Sequence, residues 1–266
     1  MTDRHANSHV LITGAAGGIG SACARRLAAE GALLLLADFD GDAARALADE
    51  LGQQAFAIQV DVTHSADVQR MVDAAYQRWG RLDVLFNNAG IAQARPLLEL
   101  TEAEWDRMLG VNLKAVFFVL QAAAKRMRNQ DLMPESELRG KIINTASIAA
   151  YRGGQLYMVH YAASKAGVIS VTRTAAQALA PLKITSNCIC PGVVDTAMWA
   201  RIDEDWTEIE GWQTGEAWKR RIVGIPLGRP EKAEDVAGTV SFLASRDSDY
   251  MTGQAIHIDG GLVMGN

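Results

Sequence analysis

Seven short, almost unbroken apolar runs punctuate this chain, and most are followed by a helical pattern. The runs are Val10 to Gly14, Ala32 to Asp38, Ala55 to Val62, Leu82 to Gly90, Lys141 to Ser147, Ile184 to Gly192 and Ala255 to Gly261. Between them lie stretches such as "SACARRLAAE", "DAARALADEL" and "ADVQRMVDAAYQRW", then a long helical stretch around Trp105 to Arg128. Strands this continuously apolar must be covered on both faces. Strands alternating with helices build βαβ units, so the expected fold is α/β, a doubly wound sheet. A chain of 266 residues, 49% of them hydrophobic, has ample material for such a core. No linker or composition shift divides it, so one domain over 1–266 is expected. The segment 128–139, "RNQDLMPESELR", reads as a surface loop.

Several function classes fall away. The net charge is -5 and no basic run stands out, so the footprint of a nucleic-acid binder is missing. The N-terminal stretch "MTDRHANSHV" is polar, and no run approaches the roughly 20 apolar residues of a membrane span. No membrane association is expected, and the cytoplasm is the default location. No metal-ligand spacing is recognisable, so no catalytic metal is expected. Cys188 and Cys190 stand two apart in an apolar run, which places both on one face of a strand as small core residues.

The loop "TGAAGGIG", Thr13 to Gly20, follows the first strand and opens a helix. That is the context of a dinucleotide fingerprint, in which missing side chains let backbone N–H groups approach a pyrophosphate. Its candidate cofactor-binding residues are Gly14, Gly18, Ile19 and Gly20. Asp38 ends the second strand, 18 residues after Gly20, close to where an acid holds the adenosine ribose hydroxyls. Its charge would repel a 2′-phosphate, and no Arg or Lys lies between Gly31 and Ala44, so NAD is expected over NADP. Asp40 and Asp42 beside it are better suited to capping the next helix. Asp61 and Val62 end the third strand, where an adenine edge would lie. "NNAG", with Asn88 and Gly90, ends the fourth, and strand carboxyl ends line the crevice of such sheets.

Three of the chain's five tyrosines, Tyr151, Tyr157 and Tyr161, crowd around "QLYMVHYAASKAG". Only Tyr161 has a lysine four residues on, at Lys165, which on a helix lies on the same face. A nearby ammonium favours a phenolate, so the pair is a candidate general base, with Lys165 lowering the tyrosine pKa. Ser147 ends the preceding strand and is a candidate to hold the substrate oxygen. Asn112, a polar residue in "GVNLKAVFF", needs partners: it holds a water relay to Lys165 or braces its helix.

Taken in order, "TGAAGGIG", Asp38, Asp61–Val62, "NNAG", Asn112, Ser147, "YAASK" and Pro191–Gly192 resemble the short-chain dehydrogenase/reductase family from end to end. The resemblance implies a Rossmann-type sheet of seven parallel strands, a nicotinamide cofactor and a catalytic tetrad of Asn112, Ser147, Tyr161 and Lys165. It implies that Lys165 also holds the nicotinamide ribose, that "PGVVDT" binds the carboxamide through Val194 and Thr196, and that the protein is a homotetramer. The spacing from Ser147 to Tyr161 is one residue longer than the family pattern.

Substrate choice should lie in the loop "AAYRGGQLYMVH" and in a lid at about 197–225, which holds four of the six tryptophans and a run of acids. Through "PGVVD", the nearby Trp199, the acidic stretch and "VGIPLGRPEKAEDVAG", this region resembles the NAD-dependent sorbitol and galactitol dehydrogenase branch, which implies a polyol oxidised at a secondary hydroxyl. Gln155, His160, Asp195 and Glu204 are candidate contacts to its hydroxyls, though His160 is better suited to a structural place. The enzyme alternatives are a 3-oxoacyl carrier-protein reductase and a small diketone or hydroxysteroid reductase. The non-enzyme alternative is an NAD-sensing binding protein on the same fold.

Overall fold

A computed structural model of the chain describes residues 3–152 and 156–264. All seven apolar runs are strands: β1 (His9–Thr13), β2 (Leu33–Asp38), β3 (Ala55–Gln59), β4 (Val84–Asn87), β5 (Gly140–Thr145), β6 (Ile184–Pro191) and β7 (Ala255–Ile258). They form one parallel sheet in the order β3-β2-β1-β4-β5-β6-β7. Successive residues of a strand face opposite sides. Val10 and Ile12 of β1 therefore join the core under α1 (Gly18–Ala29), α2 (Gly41–Leu51) and α9 (Ala233–Ala244). Leu11 joins the other core, under α3 (Ser65–Trp79) and α5 (Val116–Met127). The helix α6 (Val159–Leu179) packs on the same side, with Val168 and Ile169 against Cys188 and Cys190 of β6. Both cysteines are buried and free.

Strand order reverses between β1 and β4. The loops leaving these two strands therefore part to opposite faces, and a crevice opens at their carboxyl ends. The long helical stretch expected around Trp105 to Arg128 is not uniform. α4 (Glu102–Leu109) passes into a π-helical turn, Gly110–Ala115, before α5 begins. The rod from Glu102 to Met127 has the length and hydropathy of a membrane span. Here Val119, Leu120, Ala123 and Met127 are buried in the core beneath the sheet, and helix and sheet cover each other.

The segment 128–139 is more than a surface loop. Gln130 is buried, donating to the Leu82 carbonyl (2.8 Å) and accepting from the Leu82 amide (3.1 Å). One side chain thus pins the loop to the approach of β4. The lid region folds as α7 (Ala197–Glu210) and α8 (Glu216–Ile222).

Candidate active site

The crevice at the switch point is a cavity of about 840 Å³. Its first wall is the glycine loop. Gly14 sits at φ +63°, and a Cβ there would stand 2.8 Å from Ala89 Cα, so the β1 and β4 loops meet backbone to backbone. A Cβ on Gly20 would fall 2.1 Å from the Gly14 carbonyl oxygen. Gly20 is therefore required for closing the turn and does not line the cavity, unlike Gly14, Gly18 and Ile19. Helix α1 starts after Gly17 with no side-chain cap, leaving its first amides available to a ligand anion.

Side chains lock this wall in place. Thr13 Oγ1 accepts from the amides of Asn88 (2.9 Å) and Ala89 (3.1 Å). Asn88 Nδ2 donates to the Gly14 carbonyl (3.1 Å), and its Oδ1 accepts from Thr145 Oγ1 (3.1 Å). The ends of β1, β4 and β5 are thereby held together. Asp38 lines the cavity and accepts from the Ala16 amide at 2.8 Å, so its carboxylate faces the glycine loop. The capping role falls to Asp40, which accepts from the Ala43 amide of α2. Asp61 and Val62 line the same end, and the Asp61 carboxylate turns its loop by accepting from Thr63 N (2.9 Å) and Oγ1 (2.7 Å).

At the other end stand Ser147, Tyr161 and Lys165, all lining the cavity. The Ser147 hydroxyl lies near enough to the Tyr161 phenol to pull its pKa down. Burial pushes the Tyr161 phenol above its ordinary pKa, and the Ser147 hydroxyl offsets this only in part. The expected lowering by Lys165 is not present. Its ammonium donates to the Thr145 carbonyl (2.8 Å) and stands 5.7 Å from the centre of the Tyr161 ring. Burial instead lowers the pKa of Lys165 itself to about 8.

Asn112 lies in the π turn, fully buried behind Gly90, and does not line the cavity. Its Oδ1 accepts from Ile91 N and its Nδ2 donates to Ile91 O, both at 2.8 Å. It braces the loop after β4. A Cβ on Gly90 would meet Asn112 Oδ1 at 3.3 Å and Lys165 Nζ at 3.5 Å, so both polar groups converge on this glycine.

The loop after β6 closes the cavity with Pro191, Gly192, Val194 and Thr196. A buried acid that sequence reasoning missed holds it. Glu231 Oε2 accepts from Gly192 N (2.7 Å), while its backbone pairs with Val193 O (2.9 Å) and Asp195 N (2.8 Å). The only signal was its place in "GRPEKAED", a stretch that reads as an ordinary loop.

The lid acids hold the lid. Asp203 accepts from Gly215 N (2.5 Å) and Trp218 N (2.9 Å), fastening α8 to α7. Asp205 accepts from Ala94 N (2.7 Å), and Tyr157 donates to Glu210 (2.6 Å). Trp206 packs with Ile202, Met158 and Ala94, and Trp199 stacks edge-on with Trp218. Asp195, Glu204 and His160 are not part of the cavity wall. His160 is fully buried, and burial lowers its pKa. Gln155 lies outside the described residues. Among the described residues no cluster of three or more His, Cys, Asp or Glu side chains is arranged to hold a metal.

A family model described as Enoyl-(Acyl carrier protein) reductase matches residues 14–263. The chain is 42% identical to L-2,3-butanediol dehydrogenase of Corynebacterium glutamicum, covering 95% of this chain and 97% of that one. It is also 42% identical to sorbitol dehydrogenase of Cereibacter sphaeroides, covering 94% and 95%. A crystal structure of 3-ketoacyl-(acyl-carrier-protein) reductase from Brucella melitensis complexed with NADH superposes with a TM-score of 0.87, at 30% identity over 97% of this chain and 99% of that one. With seven parallel strands, the glycine loop and the Ser147–Tyr161–Lys165 cluster in one cavity, the chain belongs to the short-chain dehydrogenase/reductase family.

Proposed function

We propose that this protein is an NAD-dependent oxidoreductase that interconverts a secondary alcohol, a polyol in particular, and the corresponding ketone. The observation that carries this is that Ser147, Tyr161 and Lys165 line the same cavity as the glycine loop and Asp38. The kinship with butanediol and sorbitol dehydrogenases supports the substrate class.

The cavity fits a dinucleotide. The uncapped start of α1 offers amides to a pyrophosphate, and Gly14 and Gly18 stand where side chains would intrude. Asp38 would receive the adenosine ribose, and the loop holding Val194 and Thr196 the carboxamide. When bound, NAD supplies hydride acceptance at its nicotinamide C4.

The residues of this chain do the rest. Ser147 holds the substrate oxygen and stabilises the charge it develops. Tyr161 exchanges a proton with that oxygen, as acid in ketone reduction and as base in alcohol oxidation. Burial favours the protonated phenol, so the resting site is poised for reduction, and oxidation waits on deprotonation. Lys165, with a pKa near neutrality, takes up or releases the proton beside it. Asn112 positions the Gly90 loop against Lys165 and connects the lysine to solvent through water. The lid of α7 and α8 closes over the ligand and excludes water.

We place the active protein in a homotetramer. Phe117 and Phe118 of α5 are 40% and 45% exposed, apolar surface that a helix-to-helix contact between copies would cover. Light scattering on the purified protein reads this directly. The test of function is NADH formation followed by absorbance across polyols and simple secondary alcohols, with NAD⁺ and NADP⁺ in parallel. Tyr161→Phe should lower turnover by about 10²- to 10⁴-fold while NADH binding persists. Unchanged turnover would remove Tyr161 from the chemistry.

A further inference from the structure

The charges around the cavity are segregated. Among its described wall residues the carboxylates are Asp38 and Asp61, both at the adenosine end, following β2 and β3. The loop after β5 and the lid contribute arginines instead: Arg152, Arg201 and Arg221. The acids that would suit a neutral polyol, Asp195 and Glu204, are outside the wall; Asp203 is committed to the Gly215 and Trp218 amides, and Asp205 to the Ala94 amide.

Arg221 is built into the site. It lies on α8 with its guanidinium 4.6 Å from the centre of the buried Trp206 ring. Stacking of this kind holds the planar cation in one orientation and leaves its N–H edges directed sideways. Burial first, and the charge of Arg152 second, lower its pKa to about 10. Arg152 and Arg221 face one cavity, and the Trp206 ring that carries Arg221 packs in the same cluster as Tyr161. A wall that sets guanidinium groups there, with no carboxylate among its described residues at that end, is matched to an anionic ligand. Both arginines are forks matched to carboxylate or phosphate oxygens. A neutral hydroxyl can accept a hydrogen bond from a guanidinium, but only an anion adds charge to it.

We propose that the substrate is a hydroxy compound carrying an anionic group, a carboxylate or a phosphate, clamped between Arg152 and Arg221 while its carbinol carbon faces Ser147 and Tyr161. The proposal rests on the dehydrogenase function and narrows its substrate. The anion takes no part in the bond changes; it fixes which hydroxyl reaches Tyr161. Arg152 on the exposed rim steers the anion in, and Arg221 orients it.

Two measurements decide it. The first is thermal stability of the NADH-saturated protein with malonate or inorganic phosphate, chloride holding the ionic strength constant. Either anion should raise the melting temperature, and Arg221→Met or Arg152→Gln should weaken the apparent affinity by about tenfold or more. Arg220→Met, which removes an exposed neighbour paired with Glu216, should not. An anion effect that vanishes once NADH saturates would assign the arginines to the cofactor's pyrophosphate and overturn the proposal. So would no anion effect at all. The second measurement compares kcat/KM for a polyhydroxy carboxylate, a phosphorylated polyol and their neutral counterpart. An advantage of about 10²-fold for one anionic form identifies carboxylate or phosphate, and Arg221→Met should erase the ratio. If Arg221→Met does not fold, Arg152→Gln on the rim carries the same test. Equal turnover of neutral and anionic substrates overturns the clamp and leaves the dehydrogenase function standing. Silence with every alcohol, under both cofactors, removes that function, and the thermal experiment still decides the clamp.

Discussion

Glu231→Gln should convert a pH-dependent protein into a less pH-dependent one. Glu231 is buried, and one carboxylate oxygen holds the Gly192 amide while Oε1 has no hydrogen-bond partner among the described residues. Burial, and then the charges of Asp235 and Asp259, push its pKa up to about 8; the Gly192 amide and Arg229 act the other way and lose. The folded state therefore keeps a proton that the unfolded chain gives up near 4.5. Where the folded state binds more protons, stability falls as pH rises. The loss begins near 4.5 and is complete a little above 8. At about 1.4 kcal/mol per pH unit, the ceiling over the whole interval is about 5 kcal/mol. Glutamine keeps the acceptor for Gly192 and carries no charge, so its variant lacks this slope. Urea unfolding at pH 6 and at pH 9 should show the variant gaining about 2–3 kcal/mol on the wild type between the two. His5, His160 and Lys165, whose pKa values burial lowers, titrate in both proteins and cancel in the difference. A difference flat in pH would mean that Glu231 is ionised throughout, and the account of a protonated latch under the Gly192 loop would fail.

Three further outcomes follow from the site. Gly20→Ala places a Cβ 2.1 Å from the Gly14 carbonyl, backbone that cannot swing aside, so NADH binding by fluorescence titration should weaken by about tenfold or more. Asp38→Ala removes both the repulsion of a 2′-phosphate and the anchor of the Ala16 amide. The NAD-to-NADP ratio of kcat/KM should fall by about tenfold or more, chiefly through weaker NAD. Because burial raises the Tyr161 pKa, alcohol oxidation should climb with pH through the alkaline range while ketone reduction declines. Parallel pH–rate profiles in the two directions would contradict that assignment.

The sheet was legible because its signal is local. A strand covered on both faces must be apolar at nearly every position, and the glycines that let β1 and β4 loops touch leave gaps no other residue leaves. The π turn at Gly110–Ala115 was not legible, since one surplus residue inside a helix leaves the apolar period almost unchanged. Nor was the work of the lid acids. In the sequence Asp203 is one acid in a run of them, and only the start of α8 beside it makes it the group that the Gly215 and Trp218 amides need.

The tyrosine shows where the limit lies. Four-residue spacing places Tyr161 and Lys165 on one helical face, and that much is geometry of the helix alone. Which acceptor the ammonium meets is decided by β5, whose Thr145 carbonyl takes the hydrogen bond and keeps the charge away from the phenol oxygen. How far each pKa moves is decided by burial, a property of the whole packed site, and burial moves the two groups apart: the phenol up, the ammonium down to about 8. At neutral pH the resting pair thus holds its proton on both members. Proton release during oxidation must then draw on whichever partner the bound ligands stabilise least. That makes the electrostatics of the filled cavity, the lid arginines included, part of the acid–base chemistry and not only of recognition. The Arg221→Met variant should therefore shift the alkaline limb of the oxidation profile as well as its substrate preference. A shift in preference alone would confine Arg221 to binding.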